Sequence, residues 1–110
     1  MSAIIEGTTI ELTRGDTLQL TLSIENIDET EYIPDPGDVI LFSMKKYYTS
    51  GDVLISKVID NTSLTFVIQP SDTANLDFGD YVYDIQITTV DGVVDTIIPR
   101  SKFRILPEVG

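Results

Sequence analysis

Several short strings in this sequence carry the residue types of known chemistries. Arg14-Gly15-Asp16 spells a tripeptide that integrins read, and Ser43-Met44-Lys45-Lys46 has the Ser-x-x-Lys spacing of penicillin-recognising acyl enzymes. Each has a plainer reading that outweighs it. A glycine between polar residues is what a tight turn needs, because glycine adopts positive φ without steric cost. Ser43 falls mid-way along an alternating segment, whereas the acyl-enzyme mechanism needs it at a helix start with further motifs that the chain lacks. Asp28, Glu29, Glu31, Asp35 and Asp38 crowd one loop and offer the oxygen ligands that calcium prefers. EF-hand spacing is absent, so a solvated acidic loop is the stronger reading and weak calcium binding by the Asp28 to Asp38 loop the lesser one. Asn61-Thr62-Ser63 fits a glycosylation acceptor, which matters only in an exported chain.

A more telling pattern lies near the C-terminus. Arg100, Lys102 and Arg104 alternate with Ser101, Phe103 and Ile105, so one strand face would carry three of the seven basic residues. Such charge protects an edge strand against sheet-to-sheet aggregation. It equally suits docking onto an acidic surface of a neighbour, including another copy. Val39, Leu41, Val67, Val82 and Ile97 are expected to face away from the core, leaving apolar surface for a partner to cover. Arg100, Lys102, Arg104, Val39 and Leu41 are therefore the candidate partner interface. Tyr32, Tyr47, Tyr48 and Tyr83 are candidates for a sugar-stacking platform. Tyr47-Tyr48 beside Lys45-Lys46 is the best of these, although strand neighbours face opposite ways.

These residues need elements to hold them, and the pattern is period two almost throughout, as in half-buried antiparallel strands. Strands are predicted over 8–13, 18–24, 39–46, 53–59, 63–69, 80–90 and 93–106. Arg14-Gly15-Asp16 and Asp60-Asn61-Thr62 serve as turns, the second closing a hairpin, and Asp91-Gly92 is the dipeptide of a type I′ hairpin. Asn26 to Asp38, with Pro34, Pro36 and Gly37, breaks the pattern into a loop. Residues 70–76 offer the one helical turn, with Ser71 as its cap. About seven strands at this spacing predict an all-β, antiparallel β-sandwich. Asp77-Phe78-Gly79-Asp80-Tyr81 resembles the tyrosine corner of immunoglobulin-like domains, in which the tyrosine hydroxyl bonds back to the backbone at a strand entry. Asp77, Gly79 and Tyr81 are its expected members. Tyr83 stands in the cysteine position of antibody domains and there is no tryptophan, so the resemblance is to an immunoglobulin-like sandwich without a disulfide.

Composition narrows the function. With 110 residues one domain spanning 1–110 is expected. The absence of histidine and cysteine removes the side chain that titrates near neutrality, the thiolate nucleophile and the soft metal ligand. Paired acids on a loop also lack the rigid opposition that a glycosidase requires. An enzyme and a cofactor are thus not expected. A net charge of −11 argues against nucleic acid, whose affinity comes mainly from Lys and Arg neutralising phosphates. The start of the chain lacks a secretory signal and no apolar run approaches the ~20 residues of a membrane helix, so a soluble, unexported protein is expected. Yet apolar residues make up 42% of the chain and mean hydropathy is +0.11, too hydrophobic for disorder.

The strings Arg14-Gly15-Asp16-Thr17-Leu18, Phe42-Ser43-Met44-Lys45, Gly79-Asp80-Tyr81-Val82-Tyr83-Asp84-Ile85 and Ser101-Lys102-Phe103-Arg104-Ile105, taken together, resemble small domains of tailed-phage and prophage proteins. The nearest are the N-terminal domains of phage baseplate upper proteins. That resemblance implies a non-enzymatic tail or baseplate component, made in the bacterial host cytoplasm and located in the virion, which assembles with copies of itself or with other tail proteins. The alternative expectation is a carbohydrate or cell-surface binding module on the same fold.

Overall fold

The computed structural model describes residues 9–22, 32–49 and 51–108. Seven strands and one helical turn follow in order: β1 Ile10–Thr13, β2 Leu18–Thr21, β3 Val39–Lys45, β4 Ile55–Ile59, β5 Thr65–Ile68, α1 Pro70–Thr73, β6 Gly79–Thr88 and β7 Val94–Leu106. They form a five-stranded sheet, β1-β7-β6-β3-β4, and a two-stranded sheet, β2-β5. Every pairing is antiparallel except that of β1 with β7. The architecture is the expected immunoglobulin-like β-sandwich without a disulfide.

Alternation along the strands makes the core. Ile40, Phe42 and Met44 of β3 and Tyr81, Tyr83, Ile85 and Ile87 of β6 are buried, while their sequence neighbours face outward. Phe66 and Ile68 of β5 supply the opposing layer. Phe42 joins the two sheets: its ring centre lies 5.1 Å from Phe66, 5.3 Å from Tyr83 and 6.3 Å from Phe103. Such aromatic pairs add roughly 0.5–1.5 kcal/mol each beyond the area they bury. Tyr83, in the cysteine position of antibody domains, is a core residue, and burial pushes its hydroxyl up to about 12.

The connections depart from expectation where the chain changes sheets. β4 pairs with β3 and β5 with β2, so Asp60-Asn61-Thr62 is a sheet-to-sheet corner and not the turn of a paired hairpin. Leu64 takes a positive φ of 57 there, and Asn61 donates its side-chain amide to the carbonyls of Asp35, Pro36 and Asp38. The β6–β7 turn is not type I′ either. Only Gly92 has positive φ (86), the Gly92 amide donates to the Thr89 carbonyl and the Thr89 amide to the Val93 carbonyl. That is a type I turn followed by a left-handed glycine. In α1 the cap is not Ser71: Pro70 opens the turn and the Gln69 amide donates to the Asp72 carboxylate at 2.7 Å. Lys57 pairs with that same carboxylate at 2.8 Å.

Candidate functional site

The tyrosine corner is present as geometry. The Tyr81 hydroxyl donates to the Asp77 carbonyl at 2.7 Å, and Gly79 between them has φ 127. A side chain at that φ would be strained, which explains a glycine two residues before the tyrosine. Arg14-Gly15-Asp16 is likewise structural. The Arg14 guanidinium lies 4.3 Å over the Phe78 ring and pairs with Glu108 at 2.9 Å. Gly15 has φ 84 and donates its amide to the buried Thr73 hydroxyl. An arginine held in this way is not presented as an adhesion ligand.

The outer face of the large sheet gathers chemistry that the sequence pattern did not. β7 carries two irregularities against β6. Tyr83 faces Ser101 and Ile85 faces Ile98, so Pro99 and Arg100 together stand opposite the single residue Asp84; Ile97 is the extra residue of the second shift. A bulge tolerates the proline, which lacks a ladder donor, and re-aims the residue beside it. The second irregularity breaks the alternation, so Ile97 and Ile98 are both buried. The expectation that Ile97 faces away from the core is thereby corrected.

At the first bulge Arg100 projects outward and lies 4.0 Å over the Tyr48 ring. It makes no ion pair among the described residues. A depression of ≈ 100 Å³ opens beside it, lined by Ser43, Lys45, Tyr48, Val82 and Asp84. A shallower one of ≈ 310 Å³ lies on its other side, lined by Lys46, Tyr47, Asp80, Val82 and Lys102. Lys45, Val82 and Lys102 face one another across three strands. Four cations thus converge around two exposed tyrosines, Tyr47 and Tyr48. Both tyrosines follow the end of β3, so strand alternation does not set them on opposite faces. Lys46 sits 4.5 Å over the Tyr81 ring and donates to the Asp80 carbonyl. The acids here are held differently from one another. Arg104 bonds Asp80 at 2.8 Å and keeps that carboxyl below the usual range, whereas burial raises Asp84, with Lys45 opposing the shift.

The expected partner residues divide into groups. Arg104 is committed to Asp80 and Glu11, and Lys102 lies 3.7 Å from Asp80, so among the described residues Arg100 alone of the three is outside an ion pair. β7 is an edge only in part, because β1 covers its residues 103–106. Val39 and Leu41 do face outward, Val39 being 49% exposed; Val39 lies at the other end of β3 from Lys45, whereas Leu41 is two residues from Ser43, which lines the first depression. Six residue steps of strand carry the chain from Val39 to Lys45, roughly 20 Å. Tyr83 is buried and Tyr32 donates to Asp38 at 2.9 Å, so neither joins the exposed tyrosines. Of the acidic loop, Asp28, Glu29 and Glu31 lie outside the described residues; among the described residues no group of three or more acids is placed to hold a metal. Lys45 and Lys46 were noted only as neighbours of Tyr47-Tyr48 and not joined to the β7 cations, and Asp84 was missed; the sequence signal for their meeting was a proline inside a predicted strand.

No family model and no curated protein matches the chain. Solved structures similar to it include CopC from Methylosinus trichosporium OB3b, with 14% sequence identity over 99% of this chain and 89% of that one and a TM-score of 0.48. The expectation of a phage tail or baseplate component is corrected: no family model and no curated protein points to a phage role, and CopC is not a phage protein.

Proposed function

We infer that this domain is a non-catalytic docking module whose basic, tyrosine-flanked surface receives an acidic protein surface. The observation that carries it is the bulge at Pro99-Arg100, which sets an arginine with no ion pair among the described residues on Tyr48, between two depressions rimmed by Lys45, Lys46 and Lys102. Arginine stacked on an aromatic ring keeps its planar donor fork available to carboxylates and loses little entropy on binding. The arginine fork takes a carboxylate bidentately, and the lysines around it add point charges for further carboxylates.

The test is titration with a labelled deca-glutamate peptide, read by fluorescence anisotropy. Binding is expected to weaken about tenfold, about 1.4 kcal/mol, in Arg100→Ala, to weaken in Lys102→Ala, and to fall with added salt. Lys57→Ala, whose lysine is engaged by Asp72, is expected to leave it unchanged. Equal binding by wild type and Arg100→Ala overturns the reading.

A further inference from the structure

The end of the sandwich opposite the basic surface has a contrasting chemistry. Asp60 follows β4, Asp91 lies in the β6–β7 turn and Asp95 is the second residue of β7, while Asp35 and Asp38 lead into β3. No Lys or Arg occurs in 32–40, 59–61 or 87–97. The grouping is spatial as well as sequential: Asn61, next to Asp60, donates to the carbonyls of Asp35 and Asp38, and Asp95 pairs with Ile87, which pairs with Ile40 near the start of β3. This end is also apolar, with Val90, Val93 and Val94 at 63%, 54% and 55% exposed. Val39 and Val94 flank Thr88 on the same row of the sheet. One end therefore presents the exposed carboxylates of Asp35, Asp60, Asp91 and Asp95 among exposed valines, Asp38 being buried beneath them, and the other presents cations among exposed tyrosines.

We propose that the acidic, valine-bearing end of one copy docks onto the basic, tyrosine-flanked surface of the next, joining copies head to tail. This rests on the docking function inferred above and names the partner as a second copy of this chain. Two different surfaces meeting make a heterologous interface, which propagates into a chain or closes into a ring, in contrast to a two-fold dimer that uses one patch twice. The net charge of −11 opposes association at long range, and the local pairing acts only at contact. A weak interface follows, with Kd of about 0.1–1 mM.

Sedimentation velocity of the full chain, alone and in mixtures, tests this. Two variants reverse the ends on exposed residues: Arg100→Glu/Lys102→Glu makes both ends acidic, and Asp91→Lys/Asp95→Lys makes both basic. Each variant alone is expected to sediment as the 12.2 kDa monomer at concentrations where wild type associates. An equal mixture of the two is expected to recover association, by alternation of acidic and basic copies. Bulk attraction cannot account for such recovery, because the variants carry net charges of −15 and −7. A wild type that stays monomeric at about 1 mM overturns the inference, as does a mixture that fails to recover. If deca-glutamate still binds through Arg100 in that event, the docking function stands and its partner is another protein; if the peptide also fails to bind, both readings fall.

Discussion

At the scale of single residues, hydrogen bonding and burial give opposite signs for two groups on β6. The Tyr81 hydroxyl donates to the Asp77 carbonyl. Tyr81→Phe keeps the ring in the core and removes that bond, and urea unfolding is expected to show a loss of about 1 kcal/mol with an unchanged m-value. Asp84 works the other way. Burial raises its carboxyl above the ordinary value, so the folded state holds the proton more tightly than the unfolded chain. Stability is thus lost as pH rises through the unfolded value and up to the raised one. Asp84→Asn is expected to melt at a higher temperature than wild type at pH 7, with the gap closing below about pH 4 in calorimetry. The corner tyrosine was legible in sequence because Asp-x-Gly-x-Tyr is a local motif. The state of Asp84 was not, because its burial depends on residues brought in by β3 and β7.

At the scale of elements, the decisive feature is the β7 bulge. Pro99 and Arg100 share the position opposite Asp84, which keeps Arg100 from pairing directly with that carboxylate. Deleting Pro99 restores a regular ladder and sets Arg100 across from Asp84, where an opposite-charge pair contributes roughly 0.2–1 kcal/mol. NMR titration is expected to show the Asp84 carboxyl falling, and deca-glutamate binding is expected to weaken with it. The turn residues give a cleaner contrast. Gly92 has φ 86 with open space around its would-be Cβ, so Gly92→Ala meets only backbone strain, a loss of about 1 kcal/mol. Gly51 has open space and no positive φ, so Gly51→Ala is expected to be neutral in the same denaturation assay. Strand positions were readable from period-two alternation. Bulges and sheet changes were not, because alternation counts residues along one strand and says nothing of the strand it pairs with.

At the scale of the whole molecule, Phe42 ties the two sheets together and polarity separates the two ends. Phe42→Ala opens a cavity between Phe66, Tyr83 and Phe103 and is expected to cost about 3–5 kcal/mol, a large share of a typical domain's stability of about 5–15 kcal/mol. Tyrosine fluorescence and far-UV circular dichroism are expected to shift together to lower denaturant, since both layers lose the same contact. By itself the sequence determined the strand pattern, the sandwich class, the tyrosine corner and the excess of acid, all of which are set by local periodicity, short motifs or counting. Only the tertiary structure decided which strands share a sheet, that Val39 lies at the far end of β3 from Lys45, and that Lys45, Lys46 and Lys102 meet around Tyr47 and Tyr48. These depend on register between strands distant in the chain, and register is fixed by the packing of both sheets and by the bulge in β7.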